Sequence, residues 1–131
     1  NLPEAGVLLG RAAPASVDEM QRAALDLAAL GSRHVLVKGG HLLTSESPDV
    51  LCDGRDLVLL HAPRVTTQNT HGTGCTLSAA IAALLPRHAD VASAVRAAKA
   101  YVSAGLQASH ELDVGSGHGP LHHFHALWRS L

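Results

Sequence analysis

Ser16 and Glu19 stand three residues apart at the head of a run in which Met20, Ala24, Leu27 and Ala28 recur at helical spacing, and Gly31 closes that run. A serine before the first turn accepts an orphan backbone N–H, the glutamate reaches back, and a glycine ends a helix because it enters the left-handed region freely. His34-Val35-Leu36-Val37 follows almost at once, a short apolar stretch with two β-branched residues, which predicts a buried strand. A helix delivered straight into a buried strand must lay its apolar stripe on a sheet, so the class is α/β. Only Tyr101, Phe124 and Trp128 are aromatic, so the core has to be built from Ala, Val, Leu and Ile. At 131 residues the chain is one domain or part of one, long enough to bury such a core.

The remaining segments extend the pattern. Asn1-Leu2-Pro3-Glu4 has the form of a capped helix start, continued by Ala5 to Leu9 and ended by Gly10. Beyond Lys38-Gly39-Gly40 comes a polar loop, Thr44 to Asp49. Val50-Leu51-Cys52 and Leu57-Val58-Leu59-Leu60 then flank Asp53-Gly54-Arg55-Asp56, a hairpin signal. Arg64 to Thr67 is expected to be extended, and the glycine-rich turn 71–74 opens a helix that runs through Ile81 and Leu84 to Pro86. Asp90 caps a further helix whose apolar face holds Val91, Val95, Ala98, Val102 and Leu106, with Arg96, Lys99 and Gln107 off it. Gly115, Gly117, Gly119 and Pro120 end regular structure, and Leu121 to Leu131 are expected to form a last short helix. The order reads as one half of a layered α/β sandwich.

A formal net charge of −1 gives no electrostatic case for nucleic acid or for an anionic membrane. Cys52 and Cys75 are far apart and neither belongs to a C-x-x-C pair, so zinc-ribbon and thioredoxin-like readings fail; two separate cysteines suit a reducing cytoplasm. No apolar run reaches the length of a membrane span, and no signal peptide is read at the start. The first residue is not Met, from which a fragment or processed product is expected.

Chemistry concentrates in two places. His71-Gly72-Thr73-Gly74-Cys75-Thr76-Leu77-Ser78-Ala79-Ala80 opens a helix on glycines, which aims unpaired N–H groups at one point and favours an anion there. Cys75 would sit at the mouth of that hole, where the same donors stabilise a thiolate. Lys38, at a strand end, offers a cation, and a cation with an anion hole suits a polyphosphate. There is no GxxxxGK[ST], so a P-loop is excluded. An ordinary helix start and a solvated surface lysine are the plain alternatives.

Four blocks occur in order: Asn1-Leu2-Pro3-Glu4-Ala5; Val35-Leu36-Val37-Lys38-Gly39-Gly40-His41; Asp49-Val50-Leu51-Cys52-Asp53-Gly54; and Gln68-Asn69-Thr70-His71-Gly72-Thr73-Gly74-Cys75 through Ala80. With the tail Gly117-His118-Gly119-Pro120-Leu121-His122-His123-Phe124, the set resembles the C-terminal half of the hydroxymethylpyrimidine/phosphomethylpyrimidine kinases, thiamine-biosynthesis enzymes of the ribokinase-like superfamily. The resemblance implies a three-layer α/β/α sandwich of which residues 1–131 are the nucleotide-binding half. It implies ATP as phosphoryl donor, Mg²⁺, and a small pyrimidine alcohol as acceptor. Gly72, Thr73 and Gly74 would stabilise charge on the transferred group, and Lys38, Asn1 and Thr73 would lie near the phosphates. Glu4 would organise Mg²⁺ and its waters. Cys75 stands where most of the superfamily carries a catalytic aspartate, as base or as positioning group for the hydroxymethyl oxygen.

The same resemblance leaves the pyrimidine pocket to an N-terminal half not found here, so the exposed sheet edge would pair with that half or with a second copy, and the chain alone is expected to be inactive. Pyridoxine/pyridoxal kinases share the Gly-Thr-Gly-Cys turn and are the close rival; a non-catalytic nucleotide-binding remnant is the distant one. His118, His122, His123 and His125 cluster, with His122 and His125 on one expected helical face, but nothing completes a closed zinc site and they are read as structural or surface residues.

Overall fold

The computed structural model describes residues 1–128, in two compact units, Asn1–Arg64 and a second beginning at Val65. In the first, α1 (Leu2–Leu8) and α2 (Val17–Ala29) precede three strands, β1 (Val35–Lys38), β2 (Asp49–Cys52) and β3 (Leu57–Leu60). Asn1 Oδ1 accepts the Glu4 N–H at 2.9 Å and Glu4 Oε2 accepts from the Asn1 nitrogen at 2.7 Å, closing the expected capping box. Ser16 likewise caps α2 through the Glu19 N–H at 3.2 Å, although the Glu19 carboxylate reaches past it to the Ala15 N–H.

β1, β2 and β3 form an antiparallel meander in that order, with Lys38 opposite Asp49 and Cys52 opposite Leu57. All four residues of β2 are buried while its neighbours are mostly half-buried, as a central strand between two edges requires. The antiparallel sense follows from connection length, since a parallel return needs a crossover and none fits between these strands. α2 packs on β1 and β2, and α1 on α2 and β1. Leu2, Met20, Ala24, Val37, Val50 and Cys52 make the core. Each large side chain here contributes about 2 kcal/mol by leaving water.

Two expectations are corrected in this unit. Asp49 belongs to β2 and is buried, where a polar loop residue was expected. Arg64 to Thr67 form no strand; pairing near them is a single bridge between Glu46 and Pro63. Arg64 instead spends its guanidinium on the backbone, donating to the carbonyls of Gly40, Leu42, Thr44 and Glu46. The hairpin turn is as expected: Asp53 Oδ1 accepts the N–H groups of Arg55 and Asp56, and Gly54 takes a φ of +97°.

The second unit pairs α3 (Thr73–Leu84) with α4 (Val91–Gln107), with short 3-10 turns at Leu85–Arg87 and Ala108–Glu111. Pro86 stops α3 as expected, and Asp90 caps α4 by accepting the Ser93 N–H at 2.7 Å. Lys99 is buried rather than off the apolar stripe, because it shares a face with Val95 and Val102 at i−4 and i+3, and a lysine stem can cover apolar surface. The tail is corrected too: residues 123–127 are turns, not a helix, and 129–131 of that expected helix lie outside the described residues. Its backbone is held by other elements. His122 N–H bonds to Gly105 O at 2.9 Å, Tyr101 donates its hydroxyl to His123 O at 2.7 Å, and Gly119 O accepts from His71 N–H at 3.0 Å.

Candidate functional site

α1, α2 and α4 all begin with a side-chain cap; α3 does not. Its N-cap is Gly72 at φ +79°, a left-handed value that a side chain would strain, and no acidic residue lies in its first turn. Space is not the reason for glycine, since a Cβ there would meet nothing within 4 Å. The Thr76 N–H is taken by Gly72 O at 2.8 Å, the first helical bond. The N–H groups of Gly74 and Cys75 have no acceptor among the described residues. Helix-start amides in that condition favour an anion through both their donors and the helix dipole.

Thr73 is the exception within the turn. Its N–H reaches Thr70 O at 3.3 Å and its hydroxyl donates to the same carbonyl at 2.7 Å. In this structure the donors of Thr73 brace the turn, and the unclaimed amides belong to the two residues after it. Cys75 is a free cysteine at an exposed position, as a group that meets a substrate must be.

In the first unit, Lys38 is half-buried at the end of β1. The Glu4 carboxyl is held below the usual glutamate range, first by its hydrogen bond from the Asn1 nitrogen, with Lys38 adding a smaller attraction. The structure thus brings Asn1, Glu4 and Lys38 into one electrostatic neighbourhood. One exposed carboxylate, already engaged through one oxygen, cannot cage a cation. It fits a hydrated Mg²⁺, which keeps several waters and takes one or two carboxylates plus phosphate oxygens. Among the described residues no three His, Cys, Asp or Glu side chains gather as metal ligands.

Sequence reasoning missed the groups that fix the Lys38 strand end. Asp49, 5% exposed, accepts the Gly39 N–H on Oδ1 at 2.9 Å, and Pro48 O shares that donor at 2.8 Å. An aspartate directly after a proline, at the head of an apolar triplet, was the available signal. His122 is buried, 2% exposed, its Nε2 is 3.7 Å from Glu111 Oε2, and His125 Nδ1 lies 3.0 Å from the His122 carbonyl oxygen. The shared helical face expected for that pair is absent because the segment is a turn. A surface groove of 410 Å³ beside Arg11, Pro14, Arg22 and Asp26 contains none of the expected site residues, and Arg11 there is paired with Asp26 at 2.6 Å.

Comparison with known proteins converges on one class. An ADP complex of Bacillus subtilis pyridoxal kinase superposes with a TM-score of 0.88 at 37% identity, covering 96% of this chain and 47% of that one. The fold is therefore that of the ribokinase-like kinases. Residues 1–122 match the phosphomethylpyrimidine kinase family, and the chain belongs to it. It is 50% identical over 129 residues to the hydroxymethylpyrimidine/phosphomethylpyrimidine kinase of Rhizobium meliloti, and 51% over 128 residues to that of Salmonella typhimurium. In both cases 98% of this chain is covered but only 48% of the relative, so the chain spans about half the length of the curated relatives it matches.

Proposed function

We propose that the polypeptide carrying this chain transfers the γ-phosphoryl group of ATP to 4-amino-5-hydroxymethyl-2-methylpyrimidine, and then phosphorylates the resulting monophosphate, in thiamine biosynthesis. The carrying observation is the family match over residues 1–122, and the uncapped first turn of α3 supplies chemistry that suits it. Phosphoryl transfer needs mainly positioning and neutralisation of charge on the transferred group. The Gly74 and Cys75 amides, with the left-handed bend at Gly72, stabilise that charge, and Lys38 binds the phosphate chain. The Cys75 sulfur takes the proton of the hydroxymethyl oxygen, or holds that oxygen, as it attacks phosphorus and ADP leaves. Glu4, with Asn1 beside it, holds Mg²⁺ through water; when bound, the ion neutralises phosphate charge.

Residues 1–131 form the nucleotide-binding half of this enzyme, the pyrimidine pocket belongs to an N-terminal half, and the exposed sheet edge pairs with that half or with a second copy. Support comes from α3, rich in Ala and Leu yet with only Leu77 buried among its described residues. No helix among the described residues is long and apolar enough to cross a membrane, which suits a cytoplasmic enzyme of small soluble substrates.

The likeness to the B. subtilis pyridoxal kinase favours a second reading, phosphorylation of pyridoxal or pyridoxine. ATP-dependent transfer by the complete polypeptide, measured on the pyrimidine alcohol, its monophosphate, pyridoxal and pyridoxine, separates the two. Preference for the pyrimidines by kcat/KM supports the proposal, preference for the pyridines supports the second reading, and no transfer to any of them indicates a nucleotide-binding remnant.

A further inference from the structure

The segment that leads into the glycine turn is tied to the far end of α4 by a directed chain of hydrogen bonds. Ser109 is fully buried and donates its hydroxyl to Leu106 O at 2.7 Å. A hydroxyl has one proton, so Ser109 Oγ must accept in its 3.0 Å contact with Thr67 Oγ1, which makes Thr67 the donor there. The Thr67 oxygen in turn accepts the Asn69 N–H at 3.1 Å. Asn69 closes the loop from the other side, donating Nδ2 to Ser109 O at 2.7 Å. Donation therefore runs one way, from Asn69 N–H through Thr67 and Ser109 to a carbonyl of α4, and bonds aligned in this sense strengthen one another.

Packing closes the remaining freedom. A Cβ on Gly119 would lie 2.2 Å from Asn69 Oδ1, so the amide is wedged against the returning tail, and the His71 N–H is fixed on Gly119 O. Three residues after Asn69 the chain makes the left-handed bend whose following amides, Gly74 and Cys75, have no acceptor.

We propose that Thr67, Asn69 and Ser109 are positioning residues that hold the Gly74 and Cys75 amides in register with the transferred phosphoryl group. Resting on the kinase reading above, the relay acts on the transition state, because a small misplacement of fixed dipoles costs rate more than it costs ground-state binding.

The test compares Thr67→Val, which keeps shape and removes the hydroxyl, with Thr67→Ser, which keeps the hydroxyl, in the complete polypeptide. Thr67→Val is expected to lower kcat about 30-fold while KM for ATP moves less than about threefold, and Thr67→Ser to recover most of that loss. Amide hydrogen exchange, which needs no turnover, is the second readout. In Thr67→Val the hydrogen-bonded amides of Asn69, Thr70, His71, Thr73 and Thr76 should exchange about tenfold faster while those of residues 94–105 are unchanged. Unchanged kcat and unchanged exchange overturn the proposal. So does a loss that Thr67→Ser fails to recover, or faster exchange spread evenly over α4, since either makes the network merely part of the fold. If the parent protein phosphorylates none of the four alcohols, the kinase reading fails, and selective exchange at those turn amides still decides whether the relay holds the turn.

Discussion

The buried carboxylate of Asp49, at the start of β2, accepts the backbone N–H of Gly39, the residue directly after Lys38. Strand pairing alone would set Lys38 opposite Asp49, but this contact fixes the direction in which the chain leaves β1. Asp49→Ala is expected to destabilise the protein by about 2 kcal/mol, and Asp49→Asn, which keeps an acceptor oxygen, by less. Urea unfolding midpoints of the two variants check the order.

Gly39 is required by close approach. A Cβ there would fall 2.0 Å from Pro48 O and 3.0 Å from Met20 Cε, and the carbonyl belongs to the neighbouring strand end. Gly39→Ala should therefore cost about 3 kcal/mol or more, since backbone rather than a flexible side chain must give way. Gly72→Ala makes the contrasting case. Nothing crowds its Cβ, so stability should fall by only about 1 kcal/mol from the left-handed φ. Phosphoryl transfer should fall far more than that stability change accounts for, because the bend aims the Gly74 and Cys75 amides. Thermal melts beside kcat for both variants separate crowding from aim.

Arg64 binds four carbonyls of one loop, and lysine cannot reproduce that planar fork. In Arg64→Lys the segment 40–46 should become the first site of limited proteolysis, with global unfolding shifted by about 1 kcal/mol. Cleavage sites mapped by mass spectrometry give the answer; an unchanged pattern would mean the loop holds itself.

Cys75 is exposed, whereas Cys52 is buried in the core. Under native conditions iodoacetamide should modify Cys75 and spare Cys52, and ATP with Mg²⁺ should slow that modification. Cys75→Ala should lower kcat by about two orders of magnitude if the sulfur handles the proton. Activity equal to the parent would remove it from the reaction.

The Asp90 carboxyl is held below the usual aspartate range, first by accepting the Ser93 backbone N–H and then by the Ser93 hydroxyl. A folded-state value below the unfolded one, about 3.9, means the cap's contribution is complete above that pH. It is lost as pH falls through the lower folded value. Asp90→Asn should lower the melting temperature at neutral pH and draw level with the parent in acid, which paired melts from pH 7 to pH 2 would reveal.

Local chemistry determined a great deal of this protein. The capping box at Asn1, the Ser16 cap, the Asp53-Gly54 hairpin, the Asp90 cap and the glycine bend at 72 each involve residues within four positions of one another, and the sequence states such contacts directly. Tertiary structure decided whatever joins residues far apart. It buried Lys99 and Asp49, turned Arg64 from an expected strand residue into a clamp on its neighbouring loop, and undid the expected tail helix by drawing its backbone onto Gly105 and Tyr101. It also showed that Thr73 braces the turn while Gly74 and Cys75 keep their amides free of other acceptors. The reason is one of range. A helix cap competes only with water, whereas a polar group 40 residues from its partner gains that partner only after the chain between them has folded.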